Sequence, residues 1–176
     1  MKKFTGVNYG LLIVFLLLLL FPHPLQFQEP LDYYEELFLR YGEKYGVDPG
    51  LIRAVGMVES RITPEIISPA GAIGELQVRP IALIHMKDLE RVEIGEEEAR
   101  ELLMDSAKNV KYGTKYLAWC IEVSDGCILT GLATYNAGYG TIRRWIQAGI
   151  NPKILEQIPY RETREYIEKV VEKWSL

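Results

Sequence analysis

Val47-Asp48-Pro49-Gly50-Leu51-Ile52-Arg53-Ala54-Val55-Gly56-Met57-Val58-Glu59-Ser60 is the stretch on which the reading of this chain turns. Asp48 is suited to cap a helix, because its carboxylate can accept from the free amides of the first turn. Pro49 fits the first helical position, where no amide hydrogen is needed, and Val47 can staple onto Ile52. At about 100° per residue, Leu51, Ile52, Val55 and Val58 share one face. Glu59 falls on that same face, one turn after Val55, while Arg53 and Ser60 fall opposite. The spacing predicts a helix ending near Ser60 that aims a carboxylate inward. Such a carboxylate is desolvated, its pKa rises, and at neutral pH it can stay protonated and act as a general acid. A glutamate at a helix end can equally bend out to solvent, and periodicity leaves both readings open.

Outward from this helix the apolar spacing stays helical, with Pro and Gly as punctuation and no alternation of period two. Leu31 to Tyr45 reads as a preceding helix with Leu37, Phe38 and Tyr41 towards the core and Gly46 as its cap. Beyond it, the pattern gives helices over Glu96 to Leu103, Ser106 to Glu122 behind Asp105 as cap, Cys127 to Tyr135, Thr141 to Ala148 ended by Gly149, and Arg161 to Trp174. The expected fold is all-α, one domain over residues 31–176, within the usual size of a single core.

The segment before that domain reads as an address. Lys2 and Lys3 precede an uncharged apolar run from Leu11 to Phe21, extended by Val7, Tyr9 and Gly10. It is shorter than the ~20 residues of a full span yet long for a signal core. Residues 1–21 are therefore a signal peptide or an uncleaved membrane anchor. Pro22, His23 and Pro24 offer no small-residue cleavage pair, which tilts the reading towards an anchor. Residues 22–30 form a linker. The expected location is the cell envelope, on the periplasmic or extracytoplasmic side. A net charge of −4 gives no broad attraction to nucleic acid. Two cysteines, Cys120 and Cys127, bracket a turn and could be bridged or remain thiols. With no histidine nearby they do not suggest a metal.

Four blocks in order carry a resemblance. Glu59-Ser60, then Ser68-Pro69-Ala70-Gly71-Ala72-Ile73-Gly74 with Gln77 and Pro80, resembles the first signature of the soluble lytic transglycosylases, which share the goose-type lysozyme fold. Gly113-Thr114-Lys115-Tyr116-Leu117, Ala133-Thr134-Tyr135-Asn136-Ala137-Gly138, and Ile158-Pro159-Tyr160-Arg161-Glu162-Thr163-Arg164-Glu165-Tyr166 resemble the second, third and fourth. The resemblance implies that Glu59 is the single acid/base, and that Ser68, Gln77, Tyr116, Tyr135 and Glu162 line a cleft for peptidoglycan strands. Arg79, Asn136 and Tyr160 are further candidates. The implied reaction cleaves the bond between N-acetylmuramic acid and N-acetylglucosamine, leaves a 1,6-anhydro end, and needs neither metal nor organic cofactor. The expected state is a monomer.

Each residue also has a plainer reading: Ser68 as a turn former, the tyrosines as core, Asn136 and Gly138 as turn residues, and Tyr160 through Thr163 as a cap for the last helix. Two positions depart from the family pattern, which is apolar where this chain has Glu75 and Arg79. Four apart, these could pair along a helix, or Arg79 could face the cleft and meet a substrate carboxylate. A hydrolase of the goose-lysozyme type and an inactive anchored glycan-binding module are the competing functions.

Overall fold

The structure is a computed structural model that describes residues 31–175. The expected leader, anchor and linker lie outside the described residues. Among those described, no helix is long and apolar enough to cross a membrane. The chain forms α1 (Leu31–Tyr45), α2 (Pro49–Glu59), α3 (Pro80–Leu89), α4 (Glu96–Met104), α5 (Ser106–Glu122), α6 (Ile128–Ala137), α7 (Tyr139–Gln147), a single 3-10 turn (Leu155–Gln157) and α8 (Arg161–Trp174). The all-α expectation holds for these residues.

Local chemistry explains most of the boundaries. The Asp48 side chain accepts from the amides of Gly50 and Leu51 at 2.7 and 3.2 Å, behind Pro49. Asp105 caps α5 in the same way, accepting from Lys108 N at 2.8 Å. The α6 helix starts one residue later than its apolar spacing suggests, because Cys127 takes the cap position, and it continues to Ala137. At the junction of α6 and α7, Gly138 has φ 86°. This backbone region disfavours any side chain, so the sharp change of direction needs glycine.

The second helix sits at the centre, packed by α1 and α8, while α5 spans α1 and α6. Phe38, Ile52, Val55, Leu117, Leu132 and Val170 are fully buried there. Each such side chain contributes roughly 1.5–3 kcal/mol of transfer free energy. A side chain at Gly113 on α5 would put its Cβ 2.6 Å from Leu76 Cδ1 and 3.0 Å from Val78. Its absence lets the segment 73–78 lie directly against the helix.

Two expectations need correction. The helix α3 was not anticipated, because its apolar residues run round every side: Leu83 and Met86 are buried, while Ile81 and Leu89 are exposed. That gives no amphipathic stripe to read. Glu75 and Arg79 do not pair along a helix. They lie in the irregular segment before α3, where isolated antiparallel bridges join Ile67 to Ile73 and Ile73 to Val78. Glu75 is buried and its Oε1 accepts from the Tyr34 hydroxyl at 2.8 Å. Both cysteines remain thiols, Cys120 buried and Cys127 half-buried.

Candidate active site

The last residue of α2 opens the site. Glu59 is half-buried at the edge of the apolar face that carries Leu51, Ile52 and Val55, and it lines a cleft of about 870 Å³. The chain leaves the helix through two left-handed residues, Arg61 (φ 59°) and Ile62 (φ 56°). For a β-branched residue this backbone is strained, and it is held by burial of Ile62 and by its amide returning to Gly56 O at 3.1 Å. Ser60, expected opposite the apolar face, donates from Oγ to Glu75 O at 2.8 Å and accepts from Thr63 N at 3.0 Å. These bonds fasten the end of α2, and with it Glu59, to the segment carrying Gln77.

Burial pushes the Glu59 carboxyl up from the ordinary 4.5 to about 7. The opposing influence is Tyr166 of α8, whose hydroxyl favours the ionised form. That hydroxyl is buried and makes no hydrogen bond of regular geometry, so its contact with Glu59 is a partial one. Catalysis that begins with protonated Glu59 should therefore be present below about pH 7 and lost above it. Tyr166→Phe removes the influence that favours the carboxylate and should move the falling limb to higher pH. A pH-rate profile of kcat/KM checks both, and a profile flat from pH ~5 to ~9 contradicts the role of Glu59.

The structure brings Ser68, Gln77, Tyr116, Tyr135, Glu162, Arg79 and Asn136 into the same cleft. Several are committed to the protein as well. Ser68 Oγ accepts from Ala72 N at 3.1 Å, closing the Pro69-Ala70-Gly71 turn and keeping its hydroxyl hydrogen to donate. Gln77 adopts φ 46°, held by its Nε2 donating to Ile66 O and Gly74 O at 3.2 and 2.9 Å. Its Oε1 is then the atom a sugar can use. Tyr135 donates to Leu76 O at 2.7 Å. Burial, and then the charge of Glu59, hold its phenol well above the usual range, so it is a neutral wall. Asn136 accepts from Thr163 Oγ1 at 2.8 Å, tying α6 to α8. Thr163 thus bonds across helices, and no side chain caps the start of α8. Glu162 is exposed in the first turn of α8. Tyr160 is not among the cleft residues; it packs edge-on against Trp145, with ring centroids 5.0 Å apart.

Sequence reasoning missed His85, Trp119 and Tyr139, which complete an aromatic wall. Trp119 stacks on Tyr116 at 5.8 Å, meets His85 edge-on at 4.8 Å and Tyr139 edge-on at 5.2 Å, while Tyr116 lies 5.2 Å from Tyr135. Trp119 was within reach of the helical spacing, three residues after Tyr116. His85 was not, because its helix was not recognised. Flat apolar rings of this kind, with polar tips, suit pyranose faces. A second cavity of about 620 Å³ shares Tyr139, but the one carboxylate among its lining residues is Asp125, exposed and 3.7 Å from Lys153. The carboxyl suited to acid chemistry is in the first.

Fold and cleft together define a helical domain with one proton-holding carboxyl facing an aromatic groove. A profile of the transglycosylase SLT domain matches residues 36–158, and the chain belongs to that family. It is 30% identical over 142 residues to the soluble lytic murein transglycosylase of Salmonella typhimurium, a match covering 78% of this chain and 22% of that protein. With the membrane-bound lytic murein transglycosylase C of Salmonella arizonae it shares 33% identity over 151 residues, 72% of this chain and 41% of the other. The crystal structure of the 70 kDa soluble lytic transglycosylase of Escherichia coli superposes with a TM-score of 0.69 at 28% identity, covering 81% of this chain and 23% of that one. The chain thus spans about a fifth of the soluble relative.

Proposed function

We propose that this protein is a peptidoglycan lytic transglycosylase that cuts the β-1,4 bond between N-acetylmuramic acid and N-acetylglucosamine. The observation that carries the reading is Glu59, its carboxyl pushed up to about 7 by burial and opening into a cleft walled by aromatic rings. Membership of the SLT family and the likeness to proteins named lytic murein transglycosylases support it.

Glu59 gives its proton to the bridging oxygen as the bond from C1 breaks, and positive charge develops at C1 and the ring oxygen. The substrate's own N-acetyl group can share that charge. The carboxylate left behind then removes the proton of the muramyl 6-hydroxyl while O6 bonds to C1. This closes the 1,6-anhydro ring and returns Glu59 to its protonated form, with no water consumed. An intramolecular hydroxyl held near C1 competes well with solvent because its effective concentration is high. Ser68 and Gln77 offer a hydroxyl donor and an amide acceptor to sugar substituents, and the tyrosines offer ring faces.

Digestion of purified sacculi followed by mass spectrometry tests the assignment. Anhydro-muramyl ends, lighter by one water than reducing ends, are the expected products. Reducing ends alone would mean hydrolysis, and no release of fragments would mean a glycan-binding module. Residues 1–21 are proposed to deliver the domain to the cell envelope, and fractionation of cells expressing the full chain checks this.

A further inference from the structure

We propose that Arg79 determines substrate specificity in this cleft by taking a carboxylate carried on the muramyl unit of the strand, an inference that rests on the transglycosylase reading above. Arg79 lines the cleft with Glu59 and is exposed there. Its backbone holds the cap position of α3 in an extended conformation (φ −80°, ψ 141°), and its side chain makes no capping bond. Among the described residues its guanidinium has no ion-pair partner. Glu75, the acidic residue closest to it in sequence, is directed instead to Tyr34. The described residues therefore do not employ this cation, and a cation facing a binding cleft without an ion-pair partner among them is available to a ligand.

Its surroundings point to an anion. The charge of Arg79 reaches Tyr116, where it works against the rise of the phenol's pKa, so it acts inside the cleft. On the same helix, Ile81, Ala82 and His85 also line the cleft, and His85 Nε2 is a buried nitrogen with no hydrogen-bond partner among the described residues. The cleft's own carboxylates are Glu59 and Glu162. The guanidinium fork matches a carboxylate with two parallel hydrogen bonds. Each muramyl unit carries a lactyl ether whose carboxyl is either free, on strands stripped of peptide, or joined to a peptide that bears further carboxylates. The shared chemistry is a carboxylate beside the sugar being cut.

The test compares wild type, R79M and R79K on three purified strands: peptide-bearing, peptide-stripped with the free lactyl carboxylate, and peptide-stripped with that carboxylate converted to a neutral amide. R79M should raise KM by about 10-fold on an anionic strand, with kcat little changed and the neutral strand cut as by wild type. R79K, which keeps the charge but not the fork, should fall between them. A rise confined to the peptide-bearing strand assigns the carboxylate to the peptide, and a rise on the stripped anionic strand assigns it to the lactyl group. Equal KM for wild type and R79M on all three strands would overturn the assignment, as would an equal loss on the neutral strand. Should R79M fold poorly by thermal unfolding, R79Q serves as the uncharged variant under the same outcomes. Wild-type protein that cuts none of the strands would overturn the transglycosylase reading instead.

Discussion

Glu59→Gln is expected to lower the rate of strand cleavage by on the order of 10³-fold while leaving the fold intact. Glutamine keeps the size and polarity of the side chain but has no acidic proton to give the leaving oxygen, and no carboxylate to take the one on O6. KM should change little, since the variant can still occupy the cleft, so the loss belongs to kcat. Muropeptide release measured beside thermal unfolding separates chemistry from folding, and activity within 10-fold of wild type would remove Glu59 from the mechanism. The same variant carries a stability signature. The folded protein binds the Glu59 proton more tightly than the unfolded chain, so the contribution is complete below pH 4.5 and is lost as pH rises through about 7. Glutamine does not ionise. The variant should therefore gain on wild type in unfolding free energy between those values, and an unchanged difference across that window would mean the carboxyl is solvated.

Asn109→Ala should destabilise the domain by on the order of 3–5 kcal/mol, the largest effect expected of a single change away from Glu59. Asn109 is fully buried on α5, donates from Nδ2 to Ile73 O and Leu103 O at 2.8 and 2.9 Å, and accepts from Leu76 N at 3.0 Å. Alanine would leave Leu76 N and Leu103 O unpaired in the core, each costing about 1–3 kcal/mol unless water enters, and would take one of two bonds from Ile73 O, which keeps the Val78 amide at 3.0 Å. The segment these bonds hold also presents Gln77 and Arg79 to the cleft. Denaturant unfolding should show the loss, and kcat/KM should fall even where the variant remains folded. A change under ~1 kcal/mol would show that the segment is held by apolar packing instead.

Asn109 illustrates what was not legible beforehand. Nothing in its sequence neighbourhood distinguishes a helix-surface asparagine from one that reaches across to residues 73–76, because its partners are about 33–36 positions away. Tyr166 is a similar case: it stood in a quoted block, but its approach to Glu59 exists only because α8 packs on α2. The third helix is not legible for a different reason, its apolar residues having no single face. The spacing of Glu75 from Arg79 allows a helical pair, whereas burial beside Tyr34 decides its partner.

The sequence by itself determined the helical class, the caps at Asp48 and Asp105, and the face on which Glu59 lies, because each depends on residues within a turn or two of one another. Four ordered blocks also placed most of the cleft residues in advance. Only the tertiary structure decided which side chains surround that carboxyl, the direction of Ser60 and Glu75, the aromatic wall with His85 and Trp119, and the absence of an ion-pair partner for Arg79 among the described residues. The physical reason is that desolvation and pairing are properties of the groups packed around an atom, and those groups come from helices distant along the chain.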